Sequence, residues 1–218
     1  MATALALGSS ASIGGAAMEH DATPPPSAPI AGLHPADVAR IAARIDRPIV
    51  LVGMMGVGKT TVGRRLATML DLPFVDADEE IERAAHMTIP EIFAQFGEPY
   101  FRDGERRVIA RLVGEGSAAD RKILATGGGA FVDPQTRGLI LDRAISVWLD
   151  SDVDTLIERV GRKDNRPLLK QGDPREILTR LRDERRPHYE QAAIHITSGQ
   201  QPHHVTANKI LKAIDAWL

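Results

Sequence analysis

Gly53-Met54-Met55-Gly56-Val57-Gly58-Lys59-Thr60 directly follows the apolar run Pro48-Ile49-Val50-Leu51-Val52. The octet fits G-x-x-x-x-G-K-[ST], the pattern of a loop that cradles phosphate. Its glycines let backbone N–H groups converge on an anion without interference from a Cβ. The helix expected next adds unpaired N–H groups and the positive end of its dipole. Gly56, Val57, Gly58, Lys59, Thr60 and Thr61 are therefore the candidate nucleotide contacts. Lys59 would reach the β- and γ-phosphates, and the Thr60 hydroxyl would ligate Mg²⁺. The flanks fit this reading. Three β-branched residues, Ile49, Val50 and Val52, make a strand before the loop. After it, Val62, Leu66, Met69 and Leu70 fall at i, i+4, i+7 and i+8, one face of a helix. A chance glycine turn carrying a lysine would need neither flank.

The 218 residues suit one domain with a sizeable core, and 43% of them are hydrophobic. Lys and Arg number 27 against 29 Asp and Glu, which argues against bulk nucleic-acid binding. Charge is uneven, since residues 159–186 hold ten basic and five acidic side chains, as a site for anions would. With no cysteine there is neither disulfide framework nor thiolate chemistry. The seven histidines show no compact ligand spacing. No apolar run reaches the length of a membrane span, so a cytoplasmic protein is expected.

Working outward from the loop, strands and helices alternate. Strands are predicted at 72–76, 122–126, 144–149 and 194–197, five in all with the first. Helices are predicted from Asp78, over 89–96, along a face carrying Val108, Ile109, Leu112 and Val113, and over 134–142, 152–160 and 174–191. A last helix is expected to bury Ile210, Leu211, Ile214, Trp217 and Leu218. This alternation implies right-handed crossovers and a parallel sheet between helical layers. Residues 1–33 are rich in Ala, Gly, Ser and Pro, and 1–46 reads as a flexible extension with a short helix over 34–45. The folded domain is expected to run from 47 to 218, and the polar stretch 161–172 to form a mobile lid.

Two large classes of nucleotide-binding protein fit poorly. No Asp stands three residues before a Gly, and Asn208-Lys209 lacks the following Asp that GTPases require. Motor ATPases carry an apolar strand ending Asp-Glu. Here Asp150 is followed by Ser151, and Asp150 or Asp152 would serve equally as a helix cap. A small-molecule kinase remains. Asp76 and Asp78 follow the second strand, at the edge where open α/β sheets bind ligands. One could hold Mg²⁺ through water and the other accept a hydrogen bond from a substrate hydroxyl, or Asp78 could simply cap a helix. Gly127-Gly128-Gly129 ends another strand and permits close backbone approach to a ligand.

Taken together the motifs resemble the shikimate kinase family. The matching stretches are G-M-M-G-V-G-K-T-T (53–61), F-V-D-A-D (74–78), F-R-D-G-E (101–105), A-T-G-G-G (125–129), R-P-L-L (166–169) and E-R-R-P-H-Y (184–189). The resemblance implies a five-stranded parallel sheet in a three-layer P-loop kinase sandwich of the nucleoside monophosphate kinase type. It implies transfer of phosphate from ATP to the 3-hydroxyl of shikimate by a monomer that contacts neither nucleic acid nor membrane. Asp78 would hold the shikimate hydroxyls and act as base, with Lys59 as its catalytic partner at the phosphates. Arg102 and Arg185 would clamp the carboxylate, with Gly127, Gly128 and Gly129 along the ring. Thr60 and Asp76 would organise Mg²⁺. Arg166 and Arg159 would meet ATP from the lid side, and a substrate subdomain would span about 77–105.

Phe93, Phe101 and Glu105 match that subdomain, with core packing and a surface ion pair as the plain alternatives. Arg186 beside Arg185 leaves the clamp open to a one-residue shift, and His188 stands where the family has Leu. Two other readings share the phosphate loop. One is a kinase for another polyol acid such as gluconate, and the other a non-catalytic module switched by ATP.

Overall fold

Strand β1 (Ile49–Val52) is buried along its whole length, as expected of an apolar run without alternation. It lies at the centre of a five-stranded sheet of order β2-β3-β1-β4-β5, in which every neighbouring pair is parallel. The other strands are β2 (Phe74–Asp76), β3 (Ile123–Ala125), β4 (Ile145–Asp150) and β5 (Ile194–Thr197). Val50 stands beside Leu124 on one side and Ser146 on the other. The computed structural model describes residues 32–161 and 172–218. Most of the expected lid, with Arg166, lies outside the described residues, as does the chain before residue 32.

Helices cover the sheet: α1 (Pro35–Arg44), α2 (Lys59–Leu70), α3 (Ala77–Ala85), α4 (Ile89–Val113), α5 (Pro134–Arg143), α6 (Val153–Gly161), α7 (Pro174–Tyr189) and α8 (His203–Trp217). A 3₁₀ turn, Ala118–Asp120, precedes β3. Val62, Leu66 and Leu70 are buried on α2 and Met69 partly so, the face predicted from their spacing. The two helices predicted at 89–96 and beyond Arg102 form one run bent at Gly97, whose φ of 80° and ψ of 174° leave the helical path. Pro99 stands two residues later, where its missing N–H belongs to the first turn of the second segment. Ile81, Ile92 and Phe101 form a small core of their own between α3 and α4, apart from the main one.

Three expectations need correction. The helix over 34–45 is part of the folded body, because α1 packs on α2 and α8 and buries Ile41 and Ile45. Arg40 and Arg44 both pair with Asp215, tying α1 to α8. Trp217 is 44% exposed, since the last turn of α8 leaves the core that Ile210, Leu211 and Ile214 fill. Helix α7 stops at Tyr189, where Gln191 and Ala192 switch to i→i−3 bonds on the His188 and Tyr189 carbonyls (3.2 and 3.0 Å). Among the described residues no helix is long and apolar enough to cross a membrane.

Candidate active site

Because all five strands are parallel, their carboxyl ends open on one edge of the sheet, where the segments after β1, β2 and β3 meet. Gly53 follows β1 with φ 132°, and a Cβ there would lie 2.3 Å from the Leu149 carbonyl oxygen of β4. Only glycine permits that approach. Gly58 is the left-handed cap of α2, and Gly56 also has positive φ. The loop thus delivers Lys59 and Thr60 at the first turn of a helix, as the octet predicts. Lys59 is buried, its ammonium donating to the Gly53 and Met54 carbonyls at 2.7 and 3.0 Å.

Thr60 Oγ1 donates to Asp76 Oδ2 at 2.8 Å. The other Asp76 oxygen accepts from the Asp78 N–H at 3.1 Å, so Asp76 rather than Asp78 caps α3. The capping role that the sequence left open for Asp78 therefore belongs to Asp76. A Cβ added to Gly127 would meet Asp78 Oδ1 at 2.8 Å and Glu105 Oε1 at 2.9 Å. One added to Gly129 would meet Arg102 Nη1 and Nη2 at 2.6 and 2.7 Å. At Gly128 it would lie 3.1 Å from the Met55 N and 3.6 Å from Arg185 Nη1. The glycine turn is therefore a hub touched by the phosphate loop, an acidic end and two guanidinium groups.

Arg102 donates to Glu105 Oε2 at 2.6 Å and to Glu98 Oε1 at 3.0 Å. Burial lowers its affinity for a proton, but Glu105 and Glu98 reverse that and raise its pKa. Glu105 is 2% exposed, not at the surface, and its Oε1 has no hydrogen-bond partner among the described residues. Burial raises the Glu105 pKa, against the pull of Arg102 and with help from the charges of Asp78 and Asp133. Phe101 is core, with the Arg102 guanidinium 5.1 Å from its ring centroid; Phe93 leans on it at 4.7 Å and is 36% exposed.

Arg185 donates to the Gly128 carbonyl at 3.1 Å, whereas Arg186 pairs with Glu190 at the surface. The geometry places Arg185, not its neighbour, at the turn. Arg159 is held by the Val57 carbonyl at 3.0 Å and the Gly199 carbonyl at 2.8 Å, beside the phosphate loop. His203 lies close by, its pKa lowered by burial and by Arg159. Thr61 is exposed at the start of α2. Asp150 pairs with Arg182 at 3.1 Å, and Asp152 bonds the Thr155 N–H at 2.7 Å, so the cap falls to Asp152.

Sequence reasoning missed one residue of this cluster. Tyr189 is 1% exposed and its hydroxyl donates to the Gly128 carbonyl. The signal was there: Tyr189 stands four residues after Arg185, on the same face of a helix.

A phosphate loop beside a glycine turn with a carboxylate at one end and guanidinium groups at the other, on a 2-3-1-4-5 parallel sheet, defines a small-molecule kinase of the nucleoside monophosphate kinase type. A family model described as shikimate kinase matches residues 55–215. The shikimate kinase of Novosphingobium aromaticivorans is 73% identical over 92% of this chain and all of its own length. That of Caulobacter vibrioides is 56% identical over 77% of this chain and 82% of its own. Among solved structures, the shikimate kinase of Acinetobacter baumannii in complex with shikimate superposes with a TM-score of 0.72 at 41% identity, covering 78% of this chain and 93% of that one. The chain belongs to the shikimate kinase family.

Proposed function

We propose that the enzyme moves the γ-phosphoryl group of ATP to the 3-hydroxyl of shikimate with the residues of this sheet edge. One observation carries the assignment of roles: Asp78 and Arg102 stand at opposite ends of the Gly127–Gly129 turn. A rigid anionic triol needs a hydroxyl acceptor at one end and a planar guanidinium at the other. Asp78 takes the hydroxyls and the proton of the attacking oxygen. Arg102 and Arg185 take the carboxylate, and the turn lies along the ring, where its missing side chains leave room.

At the phosphate end, Gly56, Val57, Gly58, Lys59, Thr60 and Thr61 hold the nucleotide. Lys59 leaves the loop carbonyls for the β- and γ-phosphates. Thr60 and Asp76 present a hydroxyl and a carboxylate oxygen 2.8 Å apart, a hard-oxygen set suited to Mg²⁺ completed by phosphate and water. Bound there, Mg²⁺ would supply charge neutralisation at the transferring phosphate. Arg159 and Arg166 add positive charge at the phosphates, and residues 77–105 act as the acceptor subdomain. The enzyme acts as a monomer, and consumption of ATP suits the cytoplasm.

The test is coupled ADP release with MgATP, comparing shikimate, gluconate and no acceptor. Turnover that requires shikimate and is abolished by Lys59→Ala is expected. Turnover with gluconate instead would move the acceptor assignment to another polyol acid. ATP binding without acceptor-dependent turnover would leave a nucleotide-switched module.

A further inference from the structure

The three carbonyls of the glycine turn are held in different ways. Those of Gly127 and Gly129 accept from the turn's own backbone, from the Ala130 and Val132 N–H groups at 3.3 and 3.0 Å. The Gly128 carbonyl is held from outside, by Arg185 Nη1 at 3.1 Å and by the Tyr189 hydroxyl. Both donors come from α7, four residues apart, so one helix face grips one carbonyl with two side chains.

The two grips differ in stiffness. Tyr189 is 1% exposed, its ring 5.9 Å from that of Trp148 in β4 and its oxygen 4.0 Å from Met54 Sδ. A buried phenol with two torsions, wedged against the sheet, has one position. Burial pushes its pKa up to about 12, so it remains a donor throughout the working range. Arg185 is long and only half-buried. If it clamps a carboxylate it must give up the Gly128 carbonyl, and Tyr189 is then the donor left to hold the turn.

We infer that Tyr189 is a positioning residue for the acceptor: its hydroxyl fixes the Gly128 carbonyl, so that Arg185 can transfer from that carbonyl to the substrate carboxylate without the turn shifting. The inference rests on the reading of Arg185 as a carboxylate clamp. It predicts that the loss of the hydroxyl is felt in acceptor binding and through Arg185, not in the nucleotide half of the site.

The experiment is a double-mutant cycle on the full chain with Tyr189→Phe and Arg185→Ala, assayed with shikimate and MgATP. Tyr189→Phe should raise KM for shikimate about 5- to 10-fold, the effect of one neutral hydrogen bond, with a smaller change in kcat and none in KM for ATP. In the Arg185→Ala background the same substitution should raise KM by less than about twofold, because the two act as a unit. A purely structural tyrosine would lower Tm while leaving KM for shikimate alone, and that result overturns the inference. Full additivity with Arg185→Ala overturns it as well. An Arg185→Ala variant with unchanged KM would instead strike the clamp reading, a separately visible failure.

Should the phenylalanine variant not fold, 3-fluorotyrosine can be incorporated at 189 in a Tyr100→Phe background, since the chain has two tyrosines. Its ¹⁹F resonance should move on saturation with shikimate alone. A resonance that stays put would overturn the inference too.

Discussion

The phosphate loop and the glycine turn touch, with Gly128 against the Met55 N–H, yet they are built by opposite means. The loop is eight consecutive residues whose function lies in backbone geometry: Gly53, Gly56 and Gly58 at positive φ, then the first turn of α2. The acceptor site around the turn is assembled from side chains of α3, α4 and α7, more than a hundred residues from first to last. A site written in backbone fails when an atom is added. A site written in side chains fails when a charge is removed, and each removal has its own signature.

The largest effect is expected on the side-chain half. Asp78→Asn keeps the shape of the side chain but removes the proton acceptor. It should lower kcat by about 10²- to 10⁴-fold, the usual range for a general base, with ATP affinity nearly intact. Pre-steady-state phosphate transfer and equilibrium ATP titration separate the two quantities. Near-normal turnover would remove Asp78 from the base role and leave the phosphate loop as the main catalytic element.

On the backbone half, Gly53→Ala adds a methyl group 2.3 Å from the Leu149 carbonyl oxygen at a φ of 132°. Strain and overlap together should cost about 3 kcal/mol or more of stability, and the variant should lose ATP binding even where it stays folded. Denaturant melts and nucleotide titration check this. A stable variant with normal ATP affinity would mean that the loop tolerates side-chain logic after all.

Arg102→Ala returns to the acceptor side with a smaller effect, the loss of a charge-assisted pair worth about 1.5–3 kcal/mol in shikimate binding. The loss should appear in KM for shikimate, and the methyl ester of shikimate should bind wild type and variant alike. Wild type binding ester and acid equally well would remove the carboxylate from the recognition scheme.

The same division governs how much could be read in advance. The loop, its strand and its helix are contiguous, so periodicity and one pattern disclosed them. The sheet followed from alternation, with Ile194–Thr197 bounded as predicted. What distance in sequence hid was the environment of single side chains. Glu105 looks like any charge on a helix until α3, α4 and the β3 turn enclose it. Arg185 and Arg186 are equivalent in sequence, and only the orientation of α7 sends one to Gly128 and the other to Glu190. Ile41 and Ile45 carried a helical pattern, but nothing local says that α8 has a face waiting for them. Tyr189 needed a partner sixty-one residues away to acquire a role.

Glu105 gives the finest test, because it is a carboxylate of the acceptor site whose enclosure outweighs its ion pair. Its pKa is raised by burial, with Asp78 and Asp133 adding to the effect and Arg102 opposing it. A raised folded-state pKa means that the native protein binds this proton more tightly than the unfolded chain. The stability it contributes is therefore complete below the ordinary value of 4.5 and is lost as pH climbs through the elevated one. Glu105→Gln cannot ionise and lacks this slope. The stability of wild type relative to the glutamine variant should thus fall as pH rises, in melts that start below pH 4.5 and are carried upward. A gap that widened with pH would show the attraction of Arg102 outweighing burial. The ion pair, rather than enclosure, would then set the charge of the acceptor site.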